Sequence, residues 1–547
     1  MKKHLFLLAS LALGMAACTN DTLLPEDDSQ VPNTPDQETS VSTLQHAKLS
    51  VINSSQDRVT LYPQTRDPQK GSLQLVASID NPSKQVDKIP GFTQQGVQND
   101  GVTPGRFLSA TCVYYDPSTD TYYATYHMQG NNYNTDQDNE TGGFVESFTI
   151  DENGEPVVDI IFSAADPSKL SFDFNHLYFD HIPNISETTI TGMEMDYVGT
   201  YTVDDFRGTR MIAVGQKSEP SSKENGQPNT AAIIGQLNLE EETFDYEIIY
   251  TGDKILDPIN GTTSLGKVNA GDANCVVRKY NHYYVATRRG IAVLKADQEN
   301  IFKPELDVDN NYYFIKTPGS AKFLSQPTVT SELNILFLDK DHPKGDELTG
   351  EVTSPFTIAK LALDTRDGKD LPIYINTINN FDWANMASPN QIIETNLEYI
   401  KPVDGKNVMF ITRNLICVAL GKGGLYINNY PSYNSGKIIQ FSDKIDGTGS
   451  RPVNGIFIEE KETINGLTSN NGFIYVANGA CLTIIDAVTL ETVAEYSAFK
   501  EGDASANYVY VKQEETQSNG QTNDRIVTVA YGQAGVKVFK FIPPTKL

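Results

Sequence analysis

Short apolar runs separated by tight-turn residues recur along the chain, and the clearest example spans residues 464–486. Within it, residues 473–477 and 482–485 are apolar at nearly every position, and Asn465 opens a more polar run before them. An Asn-Asn-Gly and an Asn-Gly-Ala sequence separate the runs, and these residue types tolerate the positive φ of tight turns. Because the strands are apolar on both faces, both sides of their sheet must be covered.

Three other parts of the chain repeat this pattern. Residues 274–294 match residues 465–485 without a gap, and residues 407–427 match after one deletion at the turn. A third copy opens at 507–511 and resumes at 526–539 after a polar loop. Weaker sets of strands are predicted at 109–115, 121–128, 143–150 and 157–162, at 190–197, 209–215, 230–239 and 244–250, at 321–330, 332–338 and 356–363, and at 491–496. No helical periodicity follows the first residues of the chain.

Repeated four-stranded units with two apolar faces predict an all-β fold, a single β-propeller of about seven blades over residues 48–547. A stack of β-sandwich domains is the alternative, but sandwiches show one-sided alternation and no internal repeat. The last unit, at 506–541, lacks an outer strand. Candidate strands at 49–53 and 73–79 have no unit of their own. We expect one of them to complete and close the last blade, which hides a sheet edge.

The motif sequences resemble a known family of repeats. Residues 475–478, Tyr-Val-Ala-Asn, followed by residues 482–486, Leu-Thr-Ile-Ile-Asp, are similar to the YVTN and LVIVD repeats of bacterial β-propellers. The other copies depart from them, with Thr287 where the first motif ends in Asn and Lys295 where the second ends in Asp. The resemblance covers about residues 270–541. It implies a propeller, often on a secreted or surface protein, and no particular activity.

The N-terminal residues predict a targeting segment. Lys2 and Lys3 precede an apolar run at 5–15, which is too short to span a membrane. Residues 15–18, Met-Ala-Ala-Cys, resemble the lipobox of bacterial lipoproteins, although that family prefers Leu where the Met stands. The resemblance implies a signal peptide at 1–17, cleavage before Cys18, and acylation of the Cys18 thiol. The protein is then held at a membrane by lipid alone.

Residues 18–47 are predicted to be an acidic tether. The segment is rich in Asp, Glu, Thr, Ser, Pro and Gln and has too few apolar residues to bury a core. Its acidic residues soon after Cys18 resemble the surface-export signal of Bacteroidetes lipoproteins, and an ordinary acidic linker is the alternative. We therefore expect an outer-membrane lipoprotein of the cell envelope, exposed at the cell surface if that signal operates.

The charge and the cysteine content mainly argue against certain partners and sites. The 43 Lys and Arg against 70 Asp and Glu give a net charge of −27, which argues against a nucleic-acid partner. The other cysteines show no CxxC spacing and no paired His, so neither a zinc site nor another cofactor is expected. Because they lie in predicted strands, we interpret them as small buried hydrophobes, with disulfides permitted in the envelope. They are Cys112, Cys275, Cys417 and Cys481.

Recurrent asparagines are the first candidate site residues. Asn274, Asn407, Asn465 and Asn507 each begin a predicted first strand, and first strands line the channel of a propeller. We therefore expect them around the channel mouth, where uncharged amides suit a neutral polar ligand such as a glycan. The alternative is structural, with each Asn capping the turn that enters its strand.

Arg288 and Arg289 are the second candidate site residues. They occupy a predicted loop between second and third strands, on the same face as the asparagines. In an acidic protein they could bind a carboxylate or phosphate, and a solvated turn is the alternative.

These observations favour a lipid-anchored propeller that acts as a binding or scaffold module for a protein or glycan partner. The alternative is a glycan hydrolase or lyase with carboxylates in the channel. No G-x-S-x-G and no nucleotide-binding glycine loop is present, and no catalytic residue stands out.

Overall fold

A computed structural model of the chain describes most of the predicted strands. The residues described are 44–63, 72–82, 107–129, 143–163, 171–183, 206–224, 227–251, 255–257, 261–263, 269–279, 282–295, 305–306, 314–317, 319–325, 332–338, 344–345, 352–353, 356–364, 371–380, 390–404, 407–421, 423–430, 436–441, 451–458, 462–464, 467–469, 472–498, 505–512 and 524–544. The predicted signal peptide, Cys18 and nearly all of the predicted tether lie outside these ranges.

Strands make up almost all of the regular structure. The first twelve are β1 (Gln45–Lys48), β2 (Ser50–Asn53), β3 (Val59–Leu61), β4 (Ser72–Ile79), β5 (Phe107–Asp116), β6 (Thr121–Gln129), β7 (Phe144–Ile150), β8 (Pro156–Ser163), β9 (Ser171–Pro183), β10 (Phe206–Glu224), β11 (Gln227–Asn238) and β12 (Thr243–Ile248). The next thirteen are β13 (Ile255–Asp257), β14 (Gly261–Thr263), β15 (Ala273–Lys279), β16 (His282–Thr287), β17 (Gly290–Lys295), β18 (Glu305–Leu306), β19 (Phe314–Lys316), β20 (Ala321–Ser325), β21 (Glu332–Leu338), β22 (Lys344–Gly345), β23 (Val352–Thr353), β24 (Phe356–Asp364) and β25 (Leu371–Asn380). The last are β26 (Gln391–Asp404), β27 (Asn407–Ala419), β28 (Leu425–Tyr430), β29 (Lys437–Ile439), β30 (Val453–Ile458), β31 (Glu462–Ile464), β32 (Leu467–Ser469), β33 (Phe473–Asn478), β34 (Cys481–Asp486), β35 (Thr492–Ser497), β36 (Tyr508–Lys512), β37 (Arg525–Ala530) and β38 (Val536–Ile542).

The strands form meandering sheets, which we number along the chain; the described pairs are antiparallel except β13–β19, which is parallel. Sheet 1 has the order β2-β8-β7-β6-β5, and sheet 2 has the order β1-β12-β11-β10-β9. Sheet 3 is β14-β13-β19-β17-β16-β15 with β18 on β17, sheet 4 is β20-β21-β24-β25, and sheet 5 is β26-β27-β28-β29. Sheet 6 is β30-β33-β34-β35, and sheet 7 is β3-β4-β38-β37-β36. The pairs β22–β23 and β31–β32 are separate hairpins.

The sheets pack face to face through their first strands. Strand β5 contacts β9, β9 contacts β15, and the series continues through β20, β26, β30 and β36. Strand β36 in turn contacts β5. Over the described residues the arrangement is therefore propeller-like, with six blades and almost no helix. The repeats correctly predict this all-β, propeller-like fold.

The core consists of the layers between neighbouring sheets. Between sheets 6 and 7, Tyr475 meets Phe541 edge-to-face at a centroid distance of 6.0 Å, and Tyr496 meets Phe539 at 4.8 Å. All six residues of β33 and of β34 are buried, because each sheet has a neighbour on both faces. This is the two-sided burial that the apolar runs predict.

The chain before sheet 1 adds a strand to the outer edge of three sheets in succession. Strand β1 pairs with β12 of sheet 2, β2 with β8 of sheet 1, and β3 with β4 of sheet 7. Strand β4, which contains the candidate strand 73–79, pairs with β38 over Val536↔Ile79 to Ile542↔Ser72. The other candidate, 49–53, lies mainly in β2 and serves sheet 1 instead. Strand β1 also begins at Gln45, three residues ahead of the predicted propeller boundary at 48.

A buried ion pair fixes this segment to sheet 1. The Arg58 guanidinium, in the 3-10 turn Gln56–Arg58, donates to the carboxylate of Glu146 on β7. Glu146 is fully buried, and Tyr126 Oη donates to its second oxygen at 3.1 Å. Burial lowers the pKa of Arg58, because it disfavours the charged guanidinium. The Glu146 carboxylate favours that charge, because a buried carboxylate without a cation is strongly destabilising. The pair therefore couples β3 and sheet 7 to sheet 1.

The structure corrects several boundaries in the repeats. The first strand of sheet 5 is β26, so residues 407–419 are its second strand and not the first. Likewise β30 is the first strand of sheet 6, ahead of the run that begins at Asn465. The predicted strand at 190–197 lies outside the described residues, and β9 at 171–183 is the first strand of sheet 2. The strand β26 was missed because it mixes polar and apolar residues, and β30 because a bulge interrupts its alternation.

We expect Arg58→Met to lower the free energy of unfolding by about 3–5 kcal/mol, because it leaves the Glu146 carboxylate buried without its cation. Urea unfolding of the full chain measures this change. The matched control is Lys512→Met, which removes the exposed Lys512–Asp120 pair, whose Asp120 side chain is 61% exposed, and should cost about 1 kcal/mol or less. Equal effects of the two substitutions would contradict the assignment, as would failure of Arg58→Met/Glu146→Leu to recover most of the loss.

Candidate functional site

The predicted asparagines of sheets 3 and 7 form hydrogen bonds between sheets. Asn274 donates from Nδ2 to the carbonyl oxygen of Ala321 at 2.7 Å, which links sheet 3 to sheet 4. Asn507 donates to the carbonyl oxygen of Ala110 at 2.8 Å, which links sheet 7 to sheet 1. Asn507 is buried. The amide nitrogen of each residue is thus directed at the next sheet.

Two further asparagines make the same contact, and sequence analysis did not single them out. Asn175 of β9 donates to Ala273 O at 2.9 Å, and Asn454 of β30 donates to Ala506 O at 2.9 Å. In each case the acceptor is an alanine carbonyl at or just before the start of the next first strand. An Ala-Asn dipeptide at 273–274 and again at 506–507 therefore accepts from one neighbouring sheet and donates to the other. The repeated Ala-Asn dipeptide is therefore the feature of the sequence from which these hydrogen bonds between sheets could have been predicted.

A β-bulge explains why these side chains point sideways. The pairing of β15 with β16 passes from Ala273 to Cys275 and skips Asn274. The pairing of β9 with β10 skips Asn175, and that of β30 with β33 skips Asn454. A bulge adds one unpaired residue and bends the strand, so its side chain leaves the ordinary up-and-down alternation. Here the bend directs the amide at the neighbouring sheet.

The other two predicted asparagines are not in this series. Asn407 begins β27, a second strand, where it pairs with Asp404 at the far end of a hairpin. Asn465 lies outside the described residues, and Asn454 occupies the position in sheet 6 that was assigned to it. In sheet 5 a glutamine makes the link, since Gln391 Oε1 accepts from the Ile456 backbone N–H at 2.8 Å.

Side chains from the first strands meet at the axis of the arrangement. Tyr114 of β5 packs on Tyr508 of β36 at 5.6 Å and on His176 of β9 at 5.3 Å. His176 in turn meets Phe323 of β20 edge-to-face at 5.9 Å. Strands β9 and β20 are not neighbours in the packing series, so these rings lie where the strands converge. The Tyr508 hydroxyl also interacts with Gln391 of β26 from across the axis. Aromatic rings therefore fill this part of the axis.

The environment at the axis holds titratable groups neutral. Burial lowers the pKa of His176 to about 4 and raises the pKa of the Cys275 thiol to about 12. Burial also raises the pKa of Tyr114 and Tyr508. A thiol with a raised pKa is a poor nucleophile, and a neutral buried His cannot supply a proton near pH 7. Cys112, Cys275, Cys417 and Cys481 are all described, and none forms a disulfide.

Two carboxylates on first strands, those of Asp180 and Glu394, are engaged by neighbouring side chains. Asp180 of β9 accepts from Arg278 Nη1 at 2.6 and 2.7 Å and from Tyr283 Oη at 2.5 Å. Glu394 of β26 accepts from the Asn334 amide at 2.5 Å. Among the described residues, no group of three His, Cys, Asp or Glu side chains is placed to hold a metal ion.

Arg288 and Arg289 are exposed at the tip of the two-residue turn between β16 and β17. The Arg288 N–H donates to Asp272 O at 2.9 Å, and the aliphatic part of its side chain lies against Gly271, whose φ is +83°. A Cβ at Gly271 would come within 2.8 Å of the Arg288 Cβ, so glycine is required there. Within the described part of the chain, neither arginine side chain has a hydrogen-bond or ion-pair partner.

We call the end of the sheets that carries this turn the upper face. First strands begin at this end, because Ala273 at the start of β15 pairs with Thr287 beside the turn. The upper face therefore holds the asparagine links and the two arginines together.

Comparison with known proteins adds little beyond the fold. No protein-family model matches the chain, and no curated protein matches it. A crystal structure of Sqt1 from Chaetomium thermophilum has 8% sequence identity and a TM-score of 0.34, covering 80% of this chain and 97% of that chain. A crystal structure of the mitotic checkpoint complex has 8% identity and a TM-score of 0.34, covering 88% of this chain and 98% of that chain. No helix in the described ranges is long and apolar enough to cross a membrane.

We expect Asn507→Ala to lower the free energy of unfolding by about 1–3 kcal/mol, because the buried Ala110 carbonyl loses its donor. Urea unfolding measures the loss. Asn153→Ala is the control, since Asn153 is exposed in a turn and donates to Asp151, and it should change stability by about 0.5 kcal/mol or less. If the two variants were equally stable, the link between sheets 7 and 1 would not have the role assigned to it.

Proposed function

We propose that the protein is a lipid-anchored β-propeller of the cell envelope that binds a protein or glycan partner at its upper face. This proposal rests on which side chains lie at the axis and what they contact. Aromatic rings occupy it, and two carboxylates of its first strands are already bound: Asp180 by Arg278 and Tyr283, and Glu394 by Asn334. Paired carboxylates open to a substrate are what a glycosidase requires. The described arrangement therefore favours recognition at the surface over hydrolysis in a channel.

The proposed propeller has seven blades and is closed by β4. Sheets 1 to 7 supply one blade each, with β5, β9, β15, β20, β26, β30 and β36 innermost. Support for closure comes from three contacts between the ends of the series: Asn507 bonds Ala110 O, the Ala110 N–H bonds Gly532 O, and β4 completes sheet 7. Closure of this kind removes exposed strand edges.

The proposed envelope location rests on the first eighteen residues. The basic, apolar and Ala-Ala-Cys sequence is the pattern of a lipoprotein signal, and the acidic residues after Cys18 fit surface export. The similarity of residues 475–486 to YVTN and LVIVD repeats agrees with such a location. A lipid anchor followed by a linker suits a protein that binds partners at a membrane surface.

The proposed partner carries acidic groups. Nδ2 of Asn274 and of Asn507 is already bonded to backbone, which leaves less of the predicted amide ring for a neutral ligand. The guanidinium groups of Arg288 and Arg289 project from the same face, and guanidinium binds carboxylate in a bidentate manner. A glycan with uronic acids, or an acidic protein surface, meets this requirement.

Substitution of Cys18 tests the anchor. We expect Cys18→Ala to move the protein from the membrane fraction to the soluble fraction, because acylation of the thiol is lost. Immunoblots of fractionated cells measure the distribution. Cys112→Ala is the control and should stay with the membrane. Continued membrane retention of the Cys18 variant would overturn the anchor.

An array of uronic-acid and neutral glycans, probed with the full chain, tests the partner class. We expect binding to acidic glycans, and a several-fold loss in affinity for Arg288→Ala/Arg289→Ala, because an ion pair at an exposed site contributes up to about 1 kcal/mol. Lys437→Ala removes an exposed cation from the outer strand of sheet 5 and should leave affinity unchanged. Equal binding by both variants, or binding to neutral glycans alone, would contradict the site.

A further inference from the structure

A row of aromatic side chains continues below the asparagine links. Phe457 of β30 and Tyr510 of β36 each lie three residues after the linking asparagine of their strand, Asn454 and Asn507. Because the links lie at the upper face, these two rings lie nearer the opposite end of the sheets, which we call the lower face. Their ring centroids are 5.4 Å apart, so the first strands of sheets 6 and 7 meet here through aromatic contact.

Tyr115 of β5 extends the row to sheet 1. Its ring centroid is 5.6 Å from that of Tyr510, with an angle of 34° between the two rings. Phe457, Tyr510 and Tyr115 thus follow one another over neighbouring first strands, and we call them the lower arc. These rings are only half-buried. The rings of Tyr114 and His176, which fill the axis, are buried, so solvent reaches the lower arc from the lower face.

Buried rings support the lower arc from behind. Tyr115 packs on Tyr122 at a centroid distance of 4.8 Å, and Phe457 packs edge-to-face on Tyr475 at 6.3 Å. Tyr122 and Tyr475 are fully buried. Rings that are held in this way lose little conformational freedom when a ligand packs on them. The lower arc is therefore preorganised for contact with another molecule.

A lysine and an aspartate lie at the edge of the lower arc. Lys512 follows Tyr510 by two residues on β36, so both side chains leave the same side of the strand. Its Nζ donates to Asp120 Oδ1 at 2.5 Å and lies 5.2 Å from the centre of the Tyr115 ring. Tyr115 Oη donates to the same oxygen at 2.8 Å. Within the described residues, Asp120 Oδ2 accepts no hydrogen bond and Lys512 Nζ has no second acceptor.

This pair makes the edge of the lower arc polar without giving it a net charge. A cation is repelled by Lys512, and an anion is repelled by Asp120. A neutral ligand rich in hydroxyls can donate to the carboxylate and accept from the ammonium at the same time. A hexopyranose carries such hydroxyls at its edge, and its C–H groups form an apolar face that packs on an aromatic ring. The lower arc and its edge therefore match a neutral sugar.

We propose that the lower arc is a binding site for a neutral saccharide. A pyranose ring packs on Tyr510 and its aromatic neighbours, and its hydroxyls bond to Asp120 Oδ2 and Lys512 Nζ. Aromatic surface with a few convergent polar groups is typical of small-molecule sites. The site lies at the opposite end of the sheets from Arg288 and Arg289, so it does not depend on the acidic ligand proposed for the upper face.

An array of neutral hexose oligosaccharides, probed with the full chain, tests the site. We expect binding, and an affinity roughly three- to tenfold lower for Tyr510→Leu, because leucine lacks the ring face. Asp120→Asn removes the carboxylate at a φ of +51°, which asparagine tolerates, and should weaken binding several-fold. Because the ligand is uncharged, its affinity should change by about twofold or less between 0.1 M and 1 M salt. Absence of binding to the neutral oligosaccharides would overturn the proposal.

Tyr62→Leu is the matched control. Tyr62 is 36% exposed at the outer edge of sheet 7, where its backbone N–H donates to Val76 O, and its substitution should leave the affinity unchanged. Urea unfolding of each variant separates loss of the site from loss of the fold. If Tyr510→Leu does not fold, Asp120→Asn and Lys512→Met decide the question from the edge of the arc. Affinities that these edge variants leave unchanged, or equal losses for Tyr62→Leu and Tyr510→Leu, would overturn the site.

The same array separates the two faces when acidic glycans are included. Arg288→Ala/Arg289→Ala should weaken binding of acidic glycans and keep binding of neutral ones, and Tyr510→Leu should do the reverse. Loss of neutral binding in the arginine variant would place the sugar at the upper face and overturn the lower site. Neutral binding without any acidic binding would overturn the proposed acidic ligand and support the lower site.

Discussion

The hydrogen bond from an asparagine in or just before a first strand to an alanine carbonyl of the next sheet is the constraint on which the arrangement depends. Apolar layers bring sheets together but are not directional, so they allow neighbouring sheets to slide. A buried amide that must find its acceptor allows one relative position, because a missed bond leaves a buried carbonyl unsatisfied. Asn175, Asn274, Asn454 and Asn507 apply this condition at four of the junctions. The first strands are thereby held at one height around the axis.

The same constraint accounts for the filled axis. First strands held at one height direct the residues that follow these asparagines toward one another. His176 follows Asn175 directly, and Tyr508 follows Asn507. Their rings, with those of Tyr114 and Phe323, fill the space that a wider ring of strands would leave open. Filling the axis keeps these groups neutral and leaves the faces and rim of the sheets for contact with other molecules.

The sequence predicted the fold class because two-sided apolar runs have few solutions. Runs such as 473–477 must be covered on both faces. Because a similar set of runs recurs once for each sheet, the pattern indicates a propeller-like stack of sheets. It also predicted the lone outer edge of the last unit, which β4 occupies. The first strands of sheets 5 and 6 escaped prediction, because Gln391–Asp404 mixes polar and apolar residues and β30 contains a bulge that breaks the period of two.

For the candidate site, the sequence identified residues that belong to it but did not reveal what their side chains do. The recurrence of Asn pointed to Asn274 and Asn507, but a bulge cannot be seen in a period-two pattern, so the direction of each amide could not be deduced. Asn407 resembled them only because its run was placed one strand too early. The exposure of Arg288 and Arg289 was easier to predict, since a two-residue turn between apolar strands must expose its side chains.

Exposure of those arginines has a wider consequence in a chain of this charge. An acidic surface repels acidic ligands, so a turn with two cations concentrates favourable potential at one place. Strand β1 begins at that same end, because it runs antiparallel to β12. The direction of one four-residue edge strand therefore decides at which end of the sheets the described chain begins.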